Sequence, residues 1–382
     1  MDNPSKLRVG VIFGGRSGEH EVSLMSAHSI INALDPLKYL ITQIGITHEG
    51  EWLSGENVLN ALENNQREGT FPAVLFPDTK RAGLYKVGST NLGEILEKVA
   101  ELDVIFPVLH GTFGEDGTMQ GLLELQGIAY VGAGVLGSAL AMDKGVCIDV
   151  IREYGIPVVE TIVVLRSDIY KNMNDVLAQA ERLSEIYTPP ADSPYPLFVK
   201  PANLGSSVGI TKCRNRSDLV EGLIEAARYD LRILIQRGVD AREIEVSVLG
   251  NEHPEASLPG EIIPSREFYS YEAKYIDNTS ELIIPAQLPK NIIEQAQSLA
   301  IRAFKAIDCA GMARVDFLLD KQTDQLLFSE INTIPGFTTI SMYPKLWEAS
   351  GLPYPNLLDR LISLALERKA EKDRIERRYQ VS

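Results

Sequence analysis

Two strand-like segments near the C-terminus carry polar side chains at a spacing that could bind a metal ion. Arg314 and Asp316 are two residues apart in "GMARVDFLLD", and Glu330 and Asn332 are two apart in "LLFSEINTIPGF". Side chains alternate between the two faces of a strand, so each pair shares one face. If the strands are neighbours, two carboxylates and an amide oxygen converge, and Mg²⁺ takes such ligands together with phosphate. Arg314 would then face the group that is phosphorylated.

This interpretation needs a second observation, because either strand alone is better explained as a half-exposed strand whose polar face meets water. The loop "KPANLGSSVGIT" supplies one, since Lys200 brings a positive charge and Ser206 and Ser207 bring hydroxyl donors. Gly205 and Gly209 permit backbone geometries in which N–H groups converge on an anion. No helical pattern follows, so a hairpin with a serine-rich turn remains the alternative to a phosphate-binding loop.

Two glycine-rich loops near the N-terminus also follow strand patterns. "FGGRSGEHEVS" leads into a helix that begins with Glu19 and Glu21, and its glycines lack the G-x-G-x-x-G spacing of dinucleotide-binding folds. Either glutamate could simply complement the helix dipole. "HGTFGEDGT" lies at the C-terminal end of a strand, where open α/β sheets bind ligands. His110 in that loop could be a turn residue or a substrate contact.

The elements that must hold these residues change in type along the chain. The first part alternates apolar runs such as "LRVGVIF" with amphipathic segments such as "HEVSLMSAHSIINAL", which predicts a parallel sheet covered by helices. Further on, strand patterns lie closer together, and the predicted class changes from α/β to α+β. We place boundaries near 121 and 215, which gives three predicted units: 1–121, 122–215 and 216–382.

Composition limits the classes of function. Of 382 residues, 45% are hydrophobic and 23% are charged, which is ordinary for a soluble globular protein. The apolar runs are strand-sized, so no membrane insertion is expected, and the N-terminus lacks the pattern of a signal peptide. A net charge of −15 argues against nucleic acid as a partner. The three cysteines are far apart and lack metal-ligand spacing, so we expect reduced packing residues.

Taken in order, seven motifs resemble those of the D-alanine:D-alanine ligases, members of the ATP-grasp superfamily. They are "FGGRSGEHEVS", "HGTFGEDGTMQG", "MDKGV", "VKPANLGSSVGI", "YSYEAKY", "ARVDF" and "EINTIPGFTTISMYP". The resemblance implies an N-terminal substrate-binding (pre-ATP-grasp) domain followed by a two-lobed ATP-grasp fold that holds ATP between its lobes. It also implies a cytoplasmic homodimer that joins two D-alanines for the peptidoglycan precursor.

The resemblance further implies which residues bind ATP and metal. Lys144 and Lys200 would contact the phosphates, Gln236 the adenine and Glu243 the ribose, with Ser207, Arg237 and Val239 also at the nucleotide. The metal ligands would be Asp316, Glu330 and Asn332, holding Mg²⁺ or Mn²⁺, with two ions expected. Relatives commonly have an acidic residue where Gln236 stands. Because an amide can donate as well as accept, strict selectivity for adenine is less secure here.

Roles toward the two D-alanines follow from the same resemblance. Glu19 would hold the ammonium of the first D-alanine, with His110 near its carboxylate, and Ser341 would bind the carboxylate of the second. Arg314 and the Gly336 amide would meet the oxyanion of the tetrahedral intermediate. Ser206 and Tyr275 would join Glu19 in a hydrogen-bonded set, and Lys274 would close over the γ-phosphate from residues 265–281, a segment predicted to be mobile.

The nearest alternative function is that of a D-alanine:D-lactate ligase. Relatives that form a depsipeptide usually lack the tyrosine-bearing stretch that "YSYEAKY" provides. Since Tyr275 is present, we expect D-alanine to be preferred to D-lactate as the second substrate.

Overall fold

The computed structural model describes residues 6–186, 193–205, 208–263 and 281–376. Four predicted site residues lie outside these ranges: Ser206, Ser207, Lys274 and Tyr275. Nearly all of the segment predicted to be mobile also lies outside them. The remaining predicted site residues are all within the described ranges.

The N-terminal part of the chain forms one eight-stranded sheet. Its strands are β1 (Leu7–Gly14), β2 (Tyr39–Ile46), β3 (Trp52–Gly55), β4 (Thr70–Leu75), β5 (Leu84–Thr90), β6 (Gly93–Ala100), β7 (Val104–Val108) and β8 (Ala129–Tyr130). Its α-helices are α1 (His20–Ala33), α2 (Val58–Glu63) and α3 (Thr118–Gln126). The strand order is β6-β5-β4-β3-β2-β1-β7-β8.

The parallel sheet predicted from the alternation of strand and helix patterns is confirmed for half of this sheet. β2, β1, β7 and β8 run parallel, and every residue of β7 is buried, because helices cover both faces of the parallel part. β3 to β6 extend the sheet by antiparallel pairing. The loops predicted to carry site residues, which follow β1 and β7, therefore lie next to each other at one edge of the sheet.

A second sheet has four antiparallel strands. Two helices precede it, α4 (Val135–Met142) and α5 (Lys144–Glu153). Its strands are β9 (Thr161–Leu165), β10 (Leu197–Pro201), β11 (Thr211–Cys213) and β12 (Arg232–Arg237). The helices α6 (Arg166–Lys171) and α7 (Met173–Glu181) follow β9, and α8 (Arg216–Ala226) follows β11. The strand order is β11-β10-β12-β9. The boundary predicted near residue 215 falls between two strands of this sheet. Division of the chain into three units remains a proposal. Because the strand that ends at Arg237 belongs to the second sheet, we propose that the second boundary lies after Arg237.

A third sheet has six antiparallel strands, and the last three described helices belong to the same part of the chain. These elements are β13 (Ala241–Gly250), β14 (Glu255–Ala256), β15 (Gly260–Ile263), β16 (Glu281–Ile283), α9 (Lys290–Ala306), β17 (Gly311–Asp320), β18 (Leu326–Asn332), α10 (Met342–Ala349) and α11 (Tyr354–Asp373). The path of the sheet is β16-β15-β13-β17-β18, and β14 pairs with β13. Helix α9 packs its apolar face on this sheet, together with α4 and α5.

The C-terminal helices α10 and α11 belong to the core of the first sheet. Their buried side chains join one cluster with those of α1, β1 and β7, and the same cluster contains Ile334 and Phe337 from the segment before α10. The two ends of the chain therefore share a core, which brings the loops after β1 and β7 against the segment after β18. Within the described ranges, no helix combines the length and apolar character needed to cross a membrane.

Candidate active site

Two cavities meet at the face of the third sheet, and each described site residue predicted from sequence lines one of them. The larger, about 890 Å³, lies between the second and third sheets and is lined by Lys200, Gln236, Arg237, Val239, Glu243, Arg314, Asp316 and Glu330. The smaller, about 120 Å³, is lined by Glu19, His110, Lys144, Arg314, Glu330, Asn332, Gly336 and Ser341. Arg314 and Glu330 belong to both, so they mark the junction between the cavities.

The strand pair β17/β18 carries the residues at this junction, and the expectation that the two strands are neighbours is confirmed. Arg314 pairs with Asn332 and Asp316 pairs with Glu330. A β-bulge follows Asp316 and restores Phe317 to a position opposite Phe328 in the core. The register therefore keeps the polar side chains on one face and the aromatic rings on the other.

Arg314 is held rigidly by two carboxylates. Its Nε and Nη2 donate to the two carboxylate oxygens of Asp316 at 2.8 and 2.7 Å, and Glu245 Oε2 lies 2.9 Å from Nε. Burial acts to lower the pKa of Arg314, but Asp316 and Glu245 outweigh it and hold that pKa well above its ordinary value. The guanidinium is therefore a fixed positive charge at the junction.

Two lysines approach Glu330 from the second sheet and from α5. Lys144 Nζ donates to the Leu204 carbonyl at 2.8 Å and lies 3.9 Å from Glu330 Oε2. Burial lowers the pKa of Lys200 to about 8, with Lys144 adding to this effect and Glu330 opposing it. Lys144 is also the first residue of α5, so it stands at the positive end of that helix's dipole. This arrangement suits a polyanion such as a nucleotide phosphate.

The acidic residues of the strand pair form a donor set that fits magnesium. Asp316 and Glu330 offer carboxylate oxygens, and Asn332 Nδ2 donates to Asp316 Oδ2 at 3.1 Å, which directs the carbonyl oxygen of the Asn332 amide away from that bond. Hard oxygen ligands on one strand face, with phosphate oxygens to complete the shell, are what Mg²⁺ requires.

At the far end of the larger cavity, the amide of Gln236 has a defined orientation. Its Nε2 donates to Thr161 Oγ1 at 2.9 Å, and that hydroxyl donates to the Val159 carbonyl at 2.9 Å. Because the hydroxyl proton is used on Val159, Thr161 Oγ1 can only accept from Gln236. The amide oxygen of Gln236 therefore points away from Thr161 as an acceptor, which the sequence left undecided.

Glu19 occupies a slot between two glycines in the smaller cavity. A Cβ atom at Gly111 would lie 2.6 Å from Glu19 Oε2, and one at Gly205 would lie 2.9 Å from the same oxygen. Gly111 also has a φ of +74°, a conformation that L side chains rarely adopt. The sequence predicted that glycine is needed at residue 205 for its backbone freedom. The structure instead shows a steric need, because any side chain at residue 205 would displace the Glu19 carboxylate.

His110 connects the N-terminal domain to the segment that carries Gly336. Its Nδ1 lies 3.0 Å from the Ile334 carbonyl and must donate, since a carbonyl only accepts. Burial lowers the pKa of His110, against the effects of Glu19 and the Ile334 carbonyl, and this favours the neutral ring, in which Nε2 accepts from Ser26 Oγ at 3.1 Å. Ser26 Oγ in turn accepts from the Phe337 N–H at 3.2 Å. Both His110 nitrogens thus have protein partners, and its predicted contact with substrate remains a prediction.

Glu115 makes a second link to the same segment. Its two carboxylate oxygens accept from the backbone N–H groups of Gly111 at 2.7 Å and Ile334 at 3.3 Å. Burial and the nearby charge of Glu19 raise the pKa of Glu115 to about 8, although the two N–H donors and Lys144 oppose the rise. Both backbone groups of Ile334 are therefore held by side chains of the N-terminal domain.

Gly336 and Ser341 are in contact across the turn that leads into α10. Ser341 precedes α10, and its Oγ accepts from the Thr338 N–H at 3.0 Å. A Cβ atom at Gly336 would lie 2.7 Å from that Oγ. The absence of a side chain at residue 336 is thus a packing requirement of the turn.

Sequence reasoning missed three residues of this site. Glu245 follows Glu243 by two residues on β13, so the alternation rule could have placed it on the same face. Glu115 lies in a loop that was recognised, but nothing in the loop distinguished it from Asp116. Ser26 is one of several small residues on α1, and only its contact with His110 reveals its importance.

Comparisons with known proteins agree over nearly the whole chain. Residues 8–133 match the family described as "D-ala D-ala ligase N-terminus", and residues 150–363 match "D-ala D-ala ligase C-terminus". A D-alanine–D-alanine ligase of Natranaerobius thermophilus is 49% identical over 370 residues, which cover 97% of each chain. One from Thermoanaerobacter sp. is 52% identical over 372 residues, which cover 97% of this chain and 99% of the relative.

Two solved structures are also similar. The D-alanine-D-alanine ligase from Coxiella burnetii is 38% identical with a TM-score of 0.79, and 96% of each chain is covered. The VanG D-Ala:D-Ser ligase from Enterococcus faecalis is 32% identical with a TM-score of 0.81, covering 94% of this chain and 100% of that one.

Proposed function

The chain belongs to the D-alanine–D-alanine ligase family, and we propose that it joins two D-alanine molecules into D-alanyl-D-alanine at the expense of ATP. The reaction supplies a dipeptide for peptidoglycan precursor synthesis and passes through an acyl phosphate of the first D-alanine. A carboxylate is a poor electrophile, and transfer of the γ-phosphoryl group of ATP to it creates a leaving group that an amine can displace.

The observation that carries this proposal is the junction of the two cavities at Arg314 and Glu330. The larger cavity, which Lys200 lines, has the volume for a nucleotide, and the smaller one, which Lys144 lines, has the size for a small amino acid. A phosphoryl group that crosses from one cavity to the other must pass the face of β17 and β18. The charged residues there can act on the phosphoryl group in both positions.

In the first step, we propose that Lys144 and Lys200 bind the ATP phosphates. Phosphoryl transfer is catalysed chiefly by position and electrostatic field, so fixed cations close to the phosphates are the required feature. Asp316, Glu330 and Asn332 would hold magnesium, which when bound neutralises phosphate charge. A second ion, and Mn²⁺ as a substitute, stay predictions.

In the second step, the neutral amine of the second D-alanine attacks the acyl phosphate carbon, and the tetrahedral intermediate collapses to the amide as its C–O bond to phosphate breaks, releasing inorganic phosphate and the amine's proton. We propose that Arg314 and the backbone N–H of Gly336 stabilise the oxyanion that forms and that Glu19 holds the ammonium of the first D-alanine. The support for Arg314 is its rigidity, because a donor that is already fixed by Asp316 and Glu245 need not reorganise as the charge develops.

The remaining roles rest on the family resemblance. The hydrogen-bonded set of Ser206 and Tyr275 with Glu19, and closure by Lys274, lie outside the described residues. We keep as predictions that Ser341 binds the second carboxylate, that the enzyme is a homodimer and that it acts in the cytoplasm.

The identity of the second substrate separates this enzyme from its nearest rivals. D-Lactate is not favoured, since the close relatives reported above are named D-alanine–D-alanine ligases. The similar structure from Enterococcus faecalis is named a D-Ala:D-Ser ligase, so the fold alone accommodates another second substrate. Hydrogen bonding at a polar subsite, rather than the fold, decides such a choice.

The test is product identification with competing second substrates. Purified protein is incubated with ATP, Mg²⁺ and D-alanine, alone or with an equal concentration of D-serine or D-lactate, and the products are separated by mass. We expect D-alanyl-D-alanine as the main product in every mixture, with one ADP released per dipeptide. A mixed product as the main species would refute the assigned specificity, and ADP release independent of D-alanine would refute the ligase function.

A further inference from the structure

Two histidines and a glutamate converge at the start of α1, outside both cavities of the ligase site. His20 is the first residue of α1, Glu21 follows it, and His48 lies in the turn after β2. Within the described ranges this is the one group of three such side chains whose ligand atoms all lie within 4.8 Å of one another. His48 Nε2 is 3.2 Å from Glu21 Oε1. The two side chains are therefore already neighbours.

His20 has the hydrogen bond that a metal-binding histidine commonly has. Its Nδ1 lies 2.8 Å from the Gly15 carbonyl, which can only accept, so Nδ1 carries the proton. In the neutral ring, Nε2 is then left with its lone pair. A histidine that binds metal through one nitrogen commonly donates its other N–H to a backbone carbonyl, which fixes the ring and its tautomer. His20 is only 3% exposed, so its ring cannot easily turn away.

His48 and Glu21 are the two side chains of the group that have room to move. Their side chains are 53% and 64% exposed, and His48 lies in a turn. The His20 and His48 rings stack with centroids 3.8 Å apart. Two imidazoles on one zinc ion have centroids about 5 Å apart, so the rings must separate by about 1 Å. Because the two ring planes are only 23° from parallel, one ring must also turn for both lone pairs to point at one ion. His48 is the ring that would turn, because it is exposed and His20 is buried.

We propose that His20, Glu21 and His48 form a binding site for a transition-metal ion of the zinc class, distinct from the magnesium site. Two imidazole nitrogens and a carboxylate are ligands that zinc prefers, whereas magnesium prefers oxygen alone. A water molecule would complete a four-coordinate shell. The bound ion would join the turn after β2 to the first turn of α1, one residue beyond Glu19.

The same helix provides a matched control. His28 on α1 lies 3.9 Å from Glu63, and both side chains are partly exposed. This pair has one imidazole and one carboxylate but no second histidine, so it should not retain zinc. His28→Gln removes a histidine from the same helix without touching the proposed site.

The experiment measures Zn²⁺ binding to tag-free protein by calorimetry, in excess Mg²⁺ so that the carboxylates of the ligase site are occupied. Wild type, His48→Gln, Glu21→Gln and His28→Gln are compared, and circular dichroism checks that each is folded. We expect one Zn²⁺ per chain in the wild type and in His28→Gln. His48→Gln should bind at least about tenfold more weakly, since loss of an outer-shell partner alone costs about that much.

A second readout is thermal stability, because an ion that binds only the folded state raises the melting temperature. Zn²⁺ should raise the Tm of the wild type and of His28→Gln, and should have a much smaller effect on His48→Gln and Glu21→Gln. If wild type and His48→Gln bind Zn²⁺ equally, or if the wild type binds none, the site does not exist. Neither result bears on the ligase reaction, which the product assay tests separately.

Discussion

The two cavities of the ligase site are built in different ways. In the larger cavity, the polar side chains come from regular strands, with Lys200 on β10 and Asp316 and Glu330 on the pair β17/β18. The smaller cavity shares Arg314 and Glu330 with the larger one, but it adds residues from loops that follow strands, such as Glu19, and from the segment after β18, which contains Gly336. Strand register positions the first group. Hydrogen bonds between distant parts of the chain position the second.

This difference has consequences for how each cavity tolerates change. A side chain on a paired strand keeps its place when a neighbour is replaced, so substitution should remove one chemical group and little else. A loop held by His110, Ser26 and Glu115 should instead move when any of these contacts is lost. Substitutions in the smaller cavity should therefore affect geometry as well as chemistry.

The largest effect is expected from Glu330→Gln at the junction. The change removes a carboxylate that faces Asp316 on the paired strand and lies 3.9 Å from Lys144, while the strand pairing itself is retained. We expect kcat to fall by about 10²–10³-fold, as when one preorganised electrostatic group is lost. The measurement is steady-state dipeptide formation at fixed magnesium, with Glu294→Gln on the exposed face of α9 as the control. Near wild-type turnover would contradict the assigned role.

A smaller but still large effect is expected from Gly336→Ala. The new Cβ would lie 2.7 Å from Ser341 Oγ, so the hydroxyl or the turn must move. Because Thr338 holds that hydroxyl by two hydrogen bonds, we expect the turn to shift and carry the Gly336 N–H with it. Misplacement of a reacting group by about 1 Å can cost up to about 100-fold in rate, and we expect a fall in kcat of roughly 10- to 100-fold. Gly121→Ala is the control, because nothing lies within 4 Å of its added Cβ. Equal kcat values for the two variants would show that the turn is not under this constraint.

The next prediction concerns pH and Lys200 in the larger cavity. Burial lowers the pKa of Lys200 to about 8, so its charge is lost as pH rises through that value. Phosphate favours the ammonium form, and ATP affinity should therefore weaken above pH 8 by at most about tenfold per pH unit. Lys200→Arg keeps its charge at all these pH values and should bind ATP with little dependence on pH, whatever its absolute affinity. Parallel profiles for the two proteins would exclude Lys200 as the titrating group.

The smallest effect is expected from Ser26→Ala, which tests the loop contacts directly. The change leaves the buried Phe337 N–H and His110 Nε2 without their shared partner, so the free energy of unfolding should fall by about 1–3 kcal/mol. We also expect kcat to fall a few-fold with little change in the KM for ATP, because the Gly336 turn loosens while the larger cavity is untouched. Ser138→Ala is the control, since this buried hydroxyl has no partner among the described residues. If both variants lose only stability, the contact is structural and does not position the turn.

The polar face of β17 and β18 at the junction could be predicted from local sequence, whereas the other residues of the larger cavity followed from the family resemblance. Alternation along a strand put Asp316 beside Arg314 and Glu330 beside Asn332, and the structure needed only to pair the strands. The same rule, applied to β13, would have found Glu245. The orientation of the Gln236 amide could not be predicted in this way, because it depends on Thr161, which is distant in sequence.

For this protein, the sequence by itself determined the order of the elements, the polar faces of its strands and the glycine-rich loops, since each depends on residues a few positions apart. The tertiary structure alone decided that Gly205 makes room for Glu19, that His110 and Glu115 hold Ile334, and that His48 stacks on His20. These contacts join residues far apart in the chain, and they form only when the shared core brings the two ends together. Local periodicity carries no information about such distances.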